Sequence, residues 1–501
     1  MGLKVSSDIE KNIEFLKDKF KDCDDVIFRR IEVGEKYRVK LAFVSIDGLV
    51  SKSELSDYTI ENLIVNMEHK YEDSDFFKNN FLEFIVNEGI SNAEIKEEDD
   101  YENLLNRILS GESLMFVDGF EIAIVIGTRG WVLRSINEPQ TETVIRGPRD
   151  GFTETLRTNT SLVRRRIKDT NLKVKMTKVG RRSQTDVAIM YIEDIVDSKI
   201  LEEVKKRLNN IDIDAVLDSS ILEYLIEDNY LSFFPQIENT ERPDSVAASL
   251  YEGRVALIVD NSPFALIVPA TIGTLLQSSE DHYTRWTEAS FIRLMRIVAV
   301  FLVILPSALY VAITAYHPGL LPSRLIYYLA ASRINVPFPA VIEAMGLELT
   351  MEIIREAGTR VSGPIGSTIG IVGGLIIGQA AVEAGIVSNL MIILVAITTI
   401  ASFAIPSYEL TAALRLCKYI FIVLAGILGL YGIMLGIVLL GSHMVVLNSF
   451  GVPFASPYAG LGVEQGDLKD TVVKAPVQRL WMRPGFTNPQ NKMRMKRGKK
   501  K

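Results

Sequence analysis

The chain has 501 residues, with 62 acidic side chains against 55 basic ones and only two cysteines. That length exceeds what one hydrophobic core supports, since cores stop growing at about 250 to 300 residues, so two or three folded parts are expected. Cys23 and Cys417 lie far apart and outside any CxxC or metal-ligand spacing, so neither a disulfide framework nor a zinc site is indicated and they read as isolated, reduced thiols.

In chain order, the amino terminus MGLKVSSDIEKNIEF lacks the apolar core of a cleaved signal peptide, so the first half is expected on the cytoplasmic side. Its Met-Gly-x-x-x-Ser start fits a myristoylation pattern, but a chain with its own spans gains little from one acyl group. Arg38 to Ile46 reads as a strand, followed by the Asp47-Gly48 turn and a helical stretch near Ser53 to Asn66. Ser113 to Val117 and Glu121 to Ile126 flank Asp118-Gly119, a hairpin signal. A further strand pair is expected around Val174 and Val187 to Ile192, then a helix near Ser198 to Leu208. Val255 to Leu276 is apolar but carries Asp260, Asn261, Ser262 and Pro263 at its centre, and a span would bury a carboxylate and a proline at mid-bilayer. Two β-branched runs around that turn therefore predict a hairpin.

The composition then changes. Ile297 to Ser323 and Tyr419 to Val463 contain no Asp, Glu, Lys or Arg, and Val361 to Tyr408 contains only Glu383. Such runs meet the roughly 20-residue requirement for crossing hydrocarbon. Four spans are expected, at Ile297 to Tyr316, Pro364 to Val382, Ser388 to Ile405 and Tyr419 to Leu440. Leu325 to Ala331 and Val341 to Ile354 are amphipathic and separated by Val336-Pro337-Phe338-Pro339, which suits an interfacial or re-entrant element. From Thr471 the tail carries ten Lys or Arg and no acid, favouring a cytoplasmic carboxyl terminus; Arg285, Arg293 and Arg296 agree, while Arg415 and Lys418 fall outside in this scheme. The fold class is thus an α/β soluble region of two subdomains followed by an α-helical multi-span membrane domain. The expected boundaries are 1–96 and 100–228 for the subdomains, 229–290 for a linker with the hairpin, 291–445 for the membrane domain and 446–501 for a basic cytoplasmic tail.

Gly366, Gly370, Gly374 and Gly378 recur every four residues, so one face of that span lets another backbone approach closely, either within the chain or in a subunit or pore contact. Gln379 and Glu383 share a face near the end of the same helix. Glu383 is either an intramembrane acid that attracts cations in an oligomeric ring or the residue that ends the span at Ala384-Gly385. In the soluble half, Glu138, Glu142, Arg146 and Arg149 form a charged cluster suited to assembly or gating, and Arg164-Arg165-Arg166 and Arg181-Arg182 follow. Acids interleave these arginines and no stacking aromatics sit among them, so ion pairs between subdomains or subunits are expected, not nucleic acid. The tail reads as a lipid-headgroup contact. No GxxxxGK[ST], GxSxG or HExxH occurs and the four histidines are scattered, so neither enzyme chemistry nor a cofactor is expected.

Several long motifs in order carry a resemblance: NEPQTETVIRGPRDGFTETL from Asn137, Arg164 to Ile167, EGRVALIVDNSPFALIVPA from Glu252, Val336 to Ala340, GGLIIGQAAVEAG from Gly373, IPSYEL from Ile405 and FGVPFASP from Phe450. From about Asn12 to Pro484 the chain resembles the A subunit of GerA-type spore germinant receptors. A related accessory branch, the SpoVAF type, shares the architecture, but the Ala330 to Ala340 and Gly378 to Gly385 runs look more like the receptor subunit. The resemblance implies a protein of the spore inner membrane that works with a transporter-like B subunit and a lipoprotein C subunit. It further implies self-association into an ion channel that releases cations to start germination. A non-conducting signalling scaffold and a secondary transporter are the rival readings, and the latter predicts a repeat with paired broken helices.

Overall fold

The computed structural model describes residues 3–33, 38–65, 82, 84–85, 90–92, 94–130, 137–360, 378–458 and 470–495. The chain divides into two compact units, one comprising 1–227, 237–269 and 482–501, the other 228–236 and 270–481.

The first unit holds two five-stranded antiparallel sheets. β1 (Val26–Val33), β2 (Val39–Ile46), β3 (Ile95–Glu98), β4 (Ser113–Val117) and β5 (Ala123–Ile126) make one sheet in the order β1-β2-β4-β5-β3. Side chains alternate across a strand, so Ala42, Val44, Leu114 and Phe116 enter a core under α1 (Ile9–Lys19) and α2 (Tyr101–Ile108). Leu41, Phe43, Met115 and Val117 enter a second core on the opposite face. The sheet crosses the expected boundary at 96–100, because β4 and β5 pair with β2 and β3. Turn signals report neighbours in sequence, whereas sheet membership is set by distant partners.

β6 (Leu172–Val179), β7 (Thr185–Ile192), β8 (Glu238–Thr240), β9 (Val255–Val259) and β10 (Ala265–Val268) form the second sheet, in the order β6-β7-β9-β10-β8. Val255–Val259 and Ala265–Val268 are an antiparallel pair in register from Ala265 opposite Ile258 to Val268 opposite Val255. This hairpin is central in the sheet and not part of a linker, since β9 also pairs with β7. α3 (Leu156–Arg164) and α6 (Pro243–Tyr251) cover it, while α4 (Ser198–Asn209) and α5 (Ser219–Ile226) lie between β7 and β8 in sequence.

The two sheets repeat one plan. Ser6 N donates to Asn12 Oδ1 at 2.9 Å and Asn12 Nδ2 returns to Ser6 O at 2.7 Å. Thr153 and Asn159 exchange the same two bonds at 2.8 and 2.5 Å. Asp118 Oδ1 then accepts from Ile9 N, and Asp260 Oδ1 from Leu156 N, so each places a carboxylate at the start of the covering helix, where the exposed N–H groups favour negative charge. The next residue, Gly119 or Asn261, has φ +91 or +65° and donates its N–H at 2.8 Å to Ser7 O or Glu154 O. Glycine and asparagine tolerate that left-handed backbone.

The second unit is helical: α7 (Trp286–Tyr316), α8 (Ser323–Arg333), α9 (Ala340–Arg360), α10 (Asn389–Phe403), α11 (Tyr408–Leu428) and α12 (Leu430–Val446). Among the described residues, α7 and α11 are long and apolar enough to cross a membrane, and α10 and α12 are shorter apolar helices. The expected span Tyr419 to Leu440 is two helices, broken at Gly429, whose φ of +61° and ψ of −137° suit glycine alone. Ala344 and Glu348 of α9 are buried among α7, α10 and α11, while Ile342, Leu349 and Ile353 are exposed. Of the expected span Pro364 to Val382, only 378–382 lies among the described residues, and there it is helical.

Residues 482–495 pack on the second subdomain, with Gln490 N donating to Ile195 O at 2.9 Å and Thr487 Oγ1 to Glu252 O at 2.7 Å. Both cysteines are free and buried.

Candidate functional site

α9 carries three acids into the helical unit, and other helices answer each of them. Glu348, 1% exposed, accepts from Lys418 Nζ of α11 at 2.5 Å, Ser307 Oγ of α7 at 2.6 Å and Thr398 Oγ1 of α10 at 3.3 Å. Glu352 lies one turn further on, with its Oε1 3.4 Å from Arg415 Nε. Because α9 and α11 run antiparallel, acids four apart meet bases three apart. Glu343, on the other side of α9, accepts from Ser388 N and Oγ at 2.7 and 2.6 Å and lies 3.7 Å from Arg333 Nη2. Tyr310 OH bonds Ser388 Oγ at 2.8 Å and closes this upper group. Ser388 is also the N-cap of α10, its hydroxyl accepting from Met391 N, so one side chain fixes a helix start and a buried acid. Removing a charge from water costs several kcal/mol per ion, and pairing with added hydrogen bonds is what offsets it.

At the start of α7, Arg293 and Arg296 hold buried Asp281 at 3.0 and 2.7 Å, Arg293 also reaches Asp470, and Lys474 Nζ donates to Asp281 O. Burial pushes the Asp281 carboxyl up, but Arg296 and Arg293 outweigh it and leave its pKa below the usual value. Arg293 and Arg296 are thus helical and ion-paired just ahead of the expected span Ile297 to Tyr316.

The family of this fold is given by comparison with known proteins. The profile of the Bacillus/Clostridium GerA spore germination protein family matches residues 14–486. The chain belongs to the GerA family. It is 42% identical over 98% of its length to spore germination protein KA of Bacillus subtilis, covering 88% of that protein. It is 38% identical over 97% of its length to spore germination protein GerLA of Bacillus cereus, covering 96% of it. The crystal structure of the N-terminal domain of the A subunit of the Bacillus megaterium spore germinant receptor GerK3 aligns with 54% of this chain and 98% of its own, at 32% identity and a TM-score of 0.42.

In this GerA-family chain the residues singled out by sequence fall into separate places. Gly366, Gly370 and Gly374 lie outside the described residues; Gly378 is helical, and among the described residues Ile392 lies near the position a Cβ would take. Gln379 Nε2 donates to Glu383 Oε1 at 3.0 Å, and both side chains are exposed just before the turn at Gly385, whose φ is +67°. Glu138 and Arg149 pair at 3.2 Å on the surface, and Arg146 is exposed. Glu142 instead turns inward: its Oε2 accepts from Thr240 Oγ1 at 2.5 Å, and burial pushes its pKa up to about 7 against the pull of that hydroxyl. The arginine run makes ion pairs within the unit, with Arg164 forking onto Asp25 and Arg166 onto Asp150 at 2.6 Å.

The acids of α9 make their own segment less apolar, so the sequence does not mark it as part of an apolar helical unit. Arg415 and Lys418, expected on the outer side just ahead of the span at Tyr419, lie inside α11 facing Glu352 and Glu348. The spacing of Glu348 and Glu352 against Arg415 and Lys418 was the signal available.

Proposed function

We propose that this chain is the A subunit of a spore germinant receptor, a multi-pass protein of the spore inner membrane that oligomerises and conducts cations when germinant is sensed. GerA-family membership supports the germination role, and the KA and GerLA proteins of similar length carry spore germination in their names. The observation that carries the membrane reading is the Glu343–Glu348–Glu352 ladder, held by partners from α7, α8, α10 and α11 inside an apolar unit. In such a subunit the glycines Gly366 to Gly378 would bring backbones together, and Glu383 would stand as a ring of carboxylates at a pore mouth. The charged loop bearing Glu138, Arg146 and Arg149 is exposed and available to a neighbouring subunit. The partners are a transporter-like B subunit, a lipoprotein C subunit and further copies of this chain.

The test is single-channel recording from the purified complex of the three subunits in planar bilayers. Cation current opened by germinant is expected. Glu383→Gln keeps the side chain's size, removes its charge, and should lower conductance or cation preference while assembly is unchanged. A complete complex without current would favour the scaffold reading. Unchanged current in an assembled Glu383→Gln complex would return Glu383 to a helix-end role.

A further inference from the structure

Residues 229–233 of the helical unit form a loop that is fixed in place yet leaves large apolar side chains uncovered. Tyr230 is 82% exposed, Leu231 75% and Phe233 53%. The backbone behind them is pinned: Asn229 N donates to Gln236 Oε1, Gln236 Nε2 returns to Asn229 O, both at 2.9 Å, and Leu231 N donates to Asn229 Oδ1 at 3.1 Å. Ser232 Oγ lies 3.0 Å from Nε2 of His443, in the last turn of α12, and Phe234 is buried between the His443 and Phe454 rings. The loop is therefore held level with one end of α12.

α12 has 17 residues, none of them Asp, Glu, Lys or Arg, and at 1.5 Å per residue it is about 25 Å long. Its buried residues are Gly432, Ile433 and Gly436, while Tyr431, Met434, Val438 and Val446 are each more than 60% exposed. A helix this apolar and this bare belongs in lipid. The loop continues that bare surface at the helix end, where Tyr and Phe rings, apolar with a wet edge, favour the headgroup layer.

We propose that Tyr230, Leu231 and Phe233 form an interfacial anchor that enters the lipid headgroup region beside the end of α12. The anchor rests on the reading of the helical unit as membrane-embedded, and it fixes the depth of α12 through the Ser232–His443 bond. The partner is the lipid surface, not another protein.

The experiment is nitroxide accessibility in the full-length chain, in nanodiscs of phosphatidylglycerol and phosphatidylethanolamine. Cys23 and Cys417 are buried, so the label reports the introduced thiol. At Leu231→Cys, collisions with lipid-soluble oxygen should exceed those with a water-soluble nickel chelate severalfold. At exposed Lys199→Cys in α4 the order should invert. Val446→Cys tests the membrane reading by itself, and oxygen should dominate there. Nickel dominance at 231 with oxygen dominance at 446 overturns the anchor alone, and exclusion of both reagents at 231 overturns it in favour of a protein contact. Nickel dominance at 446 overturns the membrane reading with it.

Discussion

Glu348 shows how a charge is kept in an apolar helical unit. Its two oxygens take one ammonium and two hydroxyls from three helices, so neither lone-pair set is left bare. Removing Lys418 leaves a buried carboxylate with two weak donors, a loss that typically costs about 3 to 5 kcal/mol. Lys418→Met should therefore lower the thermal unfolding midpoint of the chain in nanodiscs. Lys418→Met with Glu348→Met, which removes the stranded charge as well, should recover most of the loss. A single mutant as stable as the parent would mean that Ser307 and Thr398 suffice to hold Glu348. Glu343 is held differently, by the N-cap serine of α10 and by Tyr310, so the two acids should respond independently.

At the scale of elements, local chemistry was legible and pairing was not. Asp118-Gly119 and the Asp260 to Pro263 turn announced hairpins, because the residues that permit a tight turn are few. Nothing local joined β4 to β2 across the intervening 66 residues, counted from Asp47 to Glu112. The repeat was hidden for the same reason: Ser6 and Asn12 match Thr153 and Asn159 by hydrogen bonding, with little likeness between the residues around them. Tyr419 to Leu440 read as one span since an uncharged run long enough to cross hydrocarbon also accommodates two helices and a turn. Gly429 makes that turn, and a Cβ there would stand 2.9 Å from His317 Cε1 and 3.0 Å from Tyr316 Cβ. Gly429→Ala adds both the clash and a strained backbone, costing of order 1 to 3 kcal/mol. Its unfolding midpoint in nanodiscs should fall, with α11 and α12 no longer meeting as an antiparallel pair; an unaltered midpoint would show that the turn tolerates a side chain by shifting.

For the whole molecule, the place of the carboxyl-terminal segment bears on the proposed topology alongside its charge. Residues 482–495 belong to the same compact unit as the amino terminus, through bonds from Gln490 and Thr487 to residues 195 and 252. If the helical unit is embedded in a membrane as proposed, a chain whose two ends share one folded unit would return to the side from which it left, which calls for an even number of crossings. Directions within the helical unit agree. α9 runs antiparallel to α11, and Gly426 near the end of α11 approaches Val341 at the start of α9. α12 then turns back along α11 at Gly429, with Gly436 beside the Phe421 ring. In the proposed topology the basic tail would put this unit on the cytoplasmic side, where Lys and Arg accumulate. Ser7→Cys and Met493→Cys place thiols at two exposed positions of this unit, and the native cysteines are buried. Both should resist a membrane-impermeant maleimide in sealed cells and react together after permeabilisation. Labelling of one position alone in sealed cells would break the shared unit apart and require an odd number of crossings, whereas labelling of both would keep the even count and turn the charge argument over.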